Sequence, residues 1–264
     1  MKWVESRPLT LSLSRETAPV QIHTTNTAAT DYGFDALRAA QNYRRALVGE
    51  FNPHLKGRVL DVGAGTGQFT SLLSTLGDIK ELLAVEPDPA FTSELRRAHP
   101  QLQVIEGTVT AVPESPAWDA LVCVNVLEHI PDDRRELTEY ARRLRPGTGC
   151  LCLFVPARPE IYAPIDRDFG HCRRYTRDGL RQKLEQAGFA VVRLDYFNLF
   201  GYAAWWLNFR LLRRRRFDRA AVWLFDRFIF PCVHWCESRV ARPPIGQNLL
   251  AVARPLGDGE KSFG

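Results

Sequence analysis

Residues 59–67 read VLDVGAGTG, a short apolar run with β-branched residues followed by three glycines at alternate positions. The run suits a buried parallel strand, and the glycines mark a tight strand-to-helix turn. With no Cβ, Gly63, Gly65 and Gly67 let the backbone approach a bound molecule and adopt φ > 0 where other residues would be strained. Gln68 to Leu76 then reads as a helix. A second apolar strand, Leu82 to Val85, ends in Glu86, 19 positions after Gly67, where a carboxylate can accept both hydroxyls of a ribose. The stretch therefore predicts a nucleoside-binding βαβ unit.

The spacing narrows the nucleoside. A dinucleotide site has G-x-G-x-x-G, with a helix N-terminus aimed at the pyrophosphate. Here the glycines run G-x-G-x-G, and Gln68 stands where the last glycine would be. Asp61, just before the first glycine, would repel a phosphate but suits the ammonium of an amino acid. A loop carboxylate, a ribose-binding carboxylate and an ammonium together describe S-adenosylmethionine. The plain alternative, an ordinary tight βα turn, is weakened by the placement of Asp61 and Glu86. The segment DVGAGTG with Glu86 resembles the cofactor loop of class I S-adenosylmethionine-dependent methyltransferases.

Other segments carry the same resemblance. WDALVCVN, Trp118 to Asn125, is apolar on both faces, as a central parallel strand must be. It is followed by VLEHIPDD, Val126 to Asp133, which resembles the family segment where the strand end lies beside the methionine part of the cofactor. LRPGTGCLCLFVPA is similar to the family's turn and fifth strand, so the resemblance runs over roughly 57–156. IDRDFGHCRRYT, Ile165 to Thr176, resembles a bacterial subgroup and implies no substrate. The cofactor contacts expected on this basis are Asp61, Gly63, Ala64, Gly65, Gly67, Glu86, Pro87, Thr108, Asn125 and Val126. Thr108 stands where the family often places an acidic residue against the adenine amino group. Tyr43, on a helix expected within Asp31 to Phe51, is the side chain placed nearest the cofactor from the N-terminal side, with ordinary core packing as the alternative.

The expected fold is α/β: a Rossmann-like, doubly wound seven-stranded sheet, mostly parallel with an antiparallel last strand, and a helical insertion before that strand. Length and composition agree, because 264 residues with 45% hydrophobic and 25% charged side chains make one globular α/β domain. Residues 1–30, rich in Ser and Thr, read as an N-terminal arm, and 31–264 as the methyltransferase domain. Thr176 should cap a helix ending at Gly188. Phe189 to Tyr196 and Asn248 to Ala253 should be the last strands. The stretch between them, 197–247, is far longer than a normal connection and holds Trp205, Trp206, Trp223, Trp235 and the run Arg213 to Arg216. A lid, a dimer surface, a membrane-contact face and plain packing on the sheet all fit such an insertion.

No apolar run reaches the roughly 18 residues of a membrane span, and no signal-peptide core opens the sequence, so a cytoplasmic protein is expected, peripheral to the inner face of the membrane if the insertion binds lipid. The net charge of +5 is concentrated late: from Phe200 onward there are 11 Lys and Arg against 5 Asp and Glu. An apolar helix ending in arginines can lie at a lipid headgroup boundary. A basic stretch alone does not make an RNA-binding module, so nucleic acid is not expected as a partner. Cys123, Cys150 and Cys152 fall in predicted buried strands, where cysteine behaves as a small hydrophobe. Cys232, His234 and Cys236 lack a second ligand pair, so no metal is expected there.

Methyl transfer needs alignment above all, and a base only if the nucleophile is protonated. The candidates on the acceptor side are His129, Asp166, His171 and Tyr175, with a salt-bridged structural loop as the alternative reading of residues 166–175. Arg173 and Arg174 are candidates to clamp an acceptor carboxylate or phosphate. The acceptor expected is a small molecule, amphiphilic or lipid-linked. A nicotinamide-dependent oxidoreductase and a non-enzymatic cofactor-binding scaffold are the competing functions, and a homodimer is compatible with the sequence.

Overall fold

The computed structural model describes residues 36–115, 117–239 and 242–257; the expected N-terminal arm lies outside them. Seven apolar segments pair into one sheet: β1 (Gly57–Val62), β2 (Ile79–Glu86), β3 (Gln103–Glu106), β4 (Ala120–Val124), β5 (Cys150–Pro156), β6 (Phe189–Phe197) and β7 (Asn248–Pro255). Their spatial order is β3-β2-β1-β4-β5-β7-β6. β1 to β5 run parallel, and β7 is antiparallel to both β5 and β6. The order reverses between β1 and β4, and ligands of open α/β sheets lie at that switch, beyond the carboxyl ends of the strands.

Alternation sorts the side chains into two cores, because successive residues of a strand face opposite sides. Leu60, Val62, Leu121, Cys123, Leu151 and Leu153 share one face with Tyr140, Leu180 and Leu184. Val59, Ala120, Val122, Cys152, Phe154 and Leu250 share the other with Leu47, Phe51, Leu73 and Phe230. Burying each large apolar side chain contributes about 1.5–3 kcal/mol. Register then sets the site: Val62 pairs with Val85 on one side and with Cys123 on the other. The chain after β1, β2 and β4 therefore emerges level along one edge.

The helices are α1 (Gln41–Phe51), α2 (Thr70–Leu73), α3 (Pro89–Ala98), α4 (Asp133–Arg143), α5 (Pro164–Asp168) and α6 (Arg177–Gln186), followed in the insertion by α7 (Leu199–Trp205), α8 (Arg219–Leu224) and α9 (Phe230–Arg239). Asp88, Asp132 and Thr176 cap α3, α4 and α6 by accepting backbone N–H groups. The expected helix from Gln68 to Leu76 is reduced to the single turn α2. Ser71, Ser74 and Thr75 donate their hydroxyls to the carbonyls of Gly67, Ser71 and Leu72, and such local bonds compete with helix propagation.

The insertion is helical, as expected. α7 runs into a π-helical turn, Trp206–Leu211, and α8 passes through another, Phe225–Ile229, into α9. Two acids tie it to the fold. Asp226 accepts the N–H groups of Asn42 (2.9 Å) and Tyr43 (2.8 Å), capping α1 from 184 residues away, where Ala40 supplies no side-chain cap. Glu237 likewise accepts the N–H groups of Asn198 (3.0 Å) and Leu199 (2.7 Å) at the start of α7.

Candidate active site

The three loop glycines have different reasons to be glycine. All have positive φ, at 72°, 55° and 85° for Gly63, Gly65 and Gly67. A Cβ at Gly63 would collide with the branched side chain of Val126, and one at Gly67 with Leu95 of α3, whereas one at Gly65 would meet nothing within 4 Å. Two glycines thus serve packing, and of the three only Gly65 borders open space among the described residues. Ala64 is buried beside Ala84 and Leu95, a packing position too.

Glu86 ties this loop to the end of β2. One carboxylate oxygen accepts from the Gly65 N–H at 2.8 Å and the other from the Asp88 N–H at 2.9 Å. Burial raises its pKa, against these two bonds, and each oxygen keeps a lone pair for a further donor. Pro87 links Glu86 to the Asp88 cap. Asp61 is buried, with its Oδ2 accepting the Thr70 hydroxyl at 2.6 Å. Burial, reinforced by the charge of Glu86, pushes the Asp61 carboxyl up to about 6, so a bound cation would relieve it. Thr108 is exposed at the same edge, beside Gly107, whose N–H bonds the Glu86 carbonyl at 3.0 Å. Asn125 is exposed in the left-handed region, φ 53°, its N–H bonded to the Phe154 carbonyl at 2.8 Å; the tight reversal after β4 turns Val126 onto Gly63.

Tyr43 follows the core alternative. It packs edge-on against Phe154 and Phe197, and its hydroxyl bonds Asn248 at 3.1 Å. The reason is α1, whose Asp226-capped start sets the ring against β5 and the insertion rather than over the glycine loop.

The acceptor-side candidates separate into layers. His129 and His171 meet edge to face, with ring centroids 4.8 Å apart. Packing around the ring, and then the neighbouring His171, push His129 down to about 4, although its outer edge reaches solvent. Asp166 is fully buried behind His171. It faces the His171 Nδ1 at 3.0 Å and accepts from Arg174 Nε at 2.9 Å and the Ala163 N–H at 2.8 Å. Burial alone would raise its pKa, but the bonds from His171 and Arg174 hold it below the usual range. Tyr175 is buried too, with its hydroxyl 3.0 Å from Asp133 Oδ2, so it braces α4 from within the core.

The arginines are committed inside the protein, which corrects the clamp reading. Arg173 donates to the carbonyls of Ile130 (3.0 Å) and Pro131 (2.7 Å) and pairs with Asp133. Arg174 pairs with Asp166 and lies 4.4 Å from the ring centre of Trp205. Two participants escaped sequence reasoning. Glu128, inside LEHIPDD, is fully buried with neither carboxylate oxygen hydrogen-bonded, and burial pushes it up to about 7. Trp205 packs with Phe209, Ile161 and Ile165, so the insertion lies over the loop that carries His171. Only the lone acid between Leu127 and His129 hinted at the first. Cys232 and Cys236 are exposed and His234 stacks on Phe230, and they form no metal cluster among the described residues.

A doubly wound sheet with a glycine loop after β1 and a carboxylate ending β2 defines a nucleoside-cofactor-binding α/β protein. Residues 34–194 match the model of a family described as a methyltransferase domain. The chain belongs to that family. An uncharacterized methyltransferase of Mycobacterium tuberculosis is 36% identical over 123 residues, 47% of this chain and 49% of the relative. A second protein of that organism, named "Probable S-adenosylmethionine-dependent methyltransferase", is 30% identical over 139 residues, 52% of this chain and 50% of the relative. The chain spans about half the length of the curated relatives it matches. Among solved structures, an S-adenosylmethionine-dependent methyltransferase of Archaeoglobus fulgidus shares the fold, with a TM-score of 0.52 at 15% identity over 81% of this chain and 93% of the other. None of these comparisons favours the nicotinamide oxidoreductase.

Proposed function

We propose that this chain binds S-adenosylmethionine at the Gly63–Gly67 loop and transfers its methyl group to a small amphiphilic acceptor presented at an anionic membrane surface. The observation that carries the cofactor half is Gly65, whose N–H is held by Glu86 while the space above it is open. The free lone pairs of Glu86 suit the ribose hydroxyls, and Asp61 suits the ammonium. Thr108 borders the adenine side. Asn125 and Val126 border the methionine side. The bound sulfonium would supply an already activated methyl group, so the protein's task is to align the acceptor. His129 and His171 stand on the acceptor side, where an imidazole can take the acceptor's proton. Asp166 orients His171, and Tyr175 braces the turn beneath them.

The membrane half rests on the insertion. Phe200, Trp206, Leu207, Leu211 and Leu212 on one limb, and Trp223, Leu224, Phe228, Ile229 and Trp235 on the other, are all exposed. Soluble surfaces rarely gather such side chains without an interaction to serve. Arg213 to Arg216 lie at the turn between the limbs, and Arg219 and Arg227 line a groove against α1 with Arg38, Arg45 and Trp223. A second copy would bring like charges together, whereas anionic headgroups complement them. No helix among the described residues is long and apolar enough to cross a membrane, so contact would be peripheral, at the inner face for a cytoplasmic protein.

Calorimetry with S-adenosylhomocysteine and with NAD tests the cofactor half. S-adenosylhomocysteine should bind, and Glu86→Ala should weaken it by about 1.5–3 kcal/mol, the range for bonds to a charged group. Preference for NAD, or unchanged affinity in the variant, would overturn it. Cofactor binding without methyl transfer to any acceptor would favour a scaffold.

A further inference from the structure

Glu128 lies in the turn between β4 and α4, fully buried, with no hydrogen-bond partner for either carboxylate oxygen. Such a group is costly unless something of opposite charge faces it. Two imidazoles stand there instead. His171 Nε2 is 3.9 Å from Glu128 Oε1, and one ligand atom from each of Glu128, His129 and His171 lies within 4.8 Å of the others.

The surroundings prepare those atoms for a cation. Asp166, anchored by Arg174, accepts a hydrogen bond from the Nδ1–H of His171 at 3.0 Å, leaving Nε2 turned toward Glu128. The His129 ring meets the His171 ring edge to face, with centroids 4.8 Å apart, and its outer edge reaches solvent. Metal-binding histidines are held as His171 is, with the second ring nitrogen donating to a carboxylate. His171 and Glu128 are also tied through their backbones, because the Cys172 N–H donates to the Glu128 carbonyl at 2.8 Å.

We propose that Glu128, His129 and His171 form a three-ligand site for a divalent first-row cation of the zinc class, with a further coordination position open on the exposed side of His129. One carboxylate and two imidazoles suit zinc and its neighbours rather than magnesium or calcium, which take oxygen ligands. Metal–ligand bonds of about 2.0–2.1 Å put ligand atoms about 3.4 Å apart, so the three side chains need draw in by only about 1 Å. The open position would face the acceptor side and take a water or an acceptor oxygen. A bound cation uses the lone pairs that a base role requires, so metal content separates the two uses of these histidines. The cation site stands whether or not methyl transfer occurs.

The test is a titration of the full-length, chelator-treated protein with Co²⁺, read by its visible absorption, followed by displacement with Zn²⁺. One Co²⁺ per chain in a four- or five-coordinate spectrum is expected, with Zn²⁺ displacing it. Glu128→Gln and His129→Ala should each weaken binding by at least about a hundredfold, and Asp166→Asn by about 10–100-fold, as for a group that positions a ligand. His129 reaches solvent, so its replacement keeps the fold even if a buried variant does not. No Co²⁺ site in the parent protein, equal affinity in His129→Ala, or a sulfur-to-cobalt band placing the ion on Cys172, Cys232 or Cys236 would each overturn the proposal. S-adenosylhomocysteine affinity on the same samples shows independently whether the cofactor reading survives.

Discussion

Alanine at each of the three loop glycines should separate packing from binding. At all three positions a left-handed backbone with a Cβ costs about 1–2 kcal/mol. At Gly65 that is nearly the whole effect on stability, because the new methyl meets nothing within 4 Å. At Gly63 the methyl lands on Val126, whose Cβ and both γ-methyls crowd the site. Valine is stiff at χ1, so overpacking adds about 1–3 kcal/mol, for a total of about 2–5. Gly67→Ala should fall between the two: Leu95 Cδ1 is the end of a longer chain, but Leu95 is a buried residue of α3 packed with Ala64 and Ala84. S-adenosylhomocysteine affinity should follow a different order, with the largest loss at Gly65, since the open space there is where the cofactor would lie. Urea unfolding and calorimetry on the three variants measure both orders. Val126→Ala should partly restore Gly63→Ala and leave Gly65→Ala unchanged. If Gly65→Ala destabilised the fold as much as Gly63→Ala while binding normally, the division of roles among the glycines would be refuted.

Asp61 predicts a pH dependence. Its folded pKa, about 6 against an ordinary value of 3.8, means that the folded protein binds this proton more tightly than the unfolded chain. The associated stability is present in full below the unfolded value and lost as pH rises through about 6, amounting to about 3 kcal/mol. Asp61→Asn should therefore gain on the parent between about pH 4 and 6.5 and hold its lead above that; a difference independent of pH in urea unfolding would count against it. Replacing Arg213 and Arg214 with glutamine should weaken binding to anionic vesicles by about 1 kcal/mol per charge, while Arg215, paired with Asp168 at 2.6 Å, is left in place. Co-sedimentation insensitive to salt and to these changes would remove the membrane reading. Asp226→Ala should cost about 1–2 kcal/mol as a lost helix cap, with hydrogen exchange quickening at Asn42 and Tyr43; unchanged exchange there would show that the cap does not stabilise α1.

Local pattern made much of this protein legible before folding. The apolar runs near Val59, Leu82, Ala120 and Leu151 announce buried parallel strands because a strand covered on both faces has no polar side. The alternate glycines with Asp61 and Glu86 announce a candidate cofactor edge, because that spacing suits a bound nucleoside better than an ordinary tight turn. The length and aromatic content of 197–247 announce an insertion. What tertiary structure decided lies in contacts between distant parts of the chain. Which glycine borders open space depends on where Val126 and Leu95 arrive. α1 begins at Gln41 because Asp226 reaches it, and Tyr43 turns into the core as a result. Arg173 and Arg174 read as candidate clamps until Asp133 and Asp166 are seen to occupy them. Glu128 meets His171 across 43 residues, and no sequence period records that meeting. Propensity and hydrophobic period express each residue's relation to its own neighbours and to water; the pairing of buried charges depends on which surfaces the sheet order brings together.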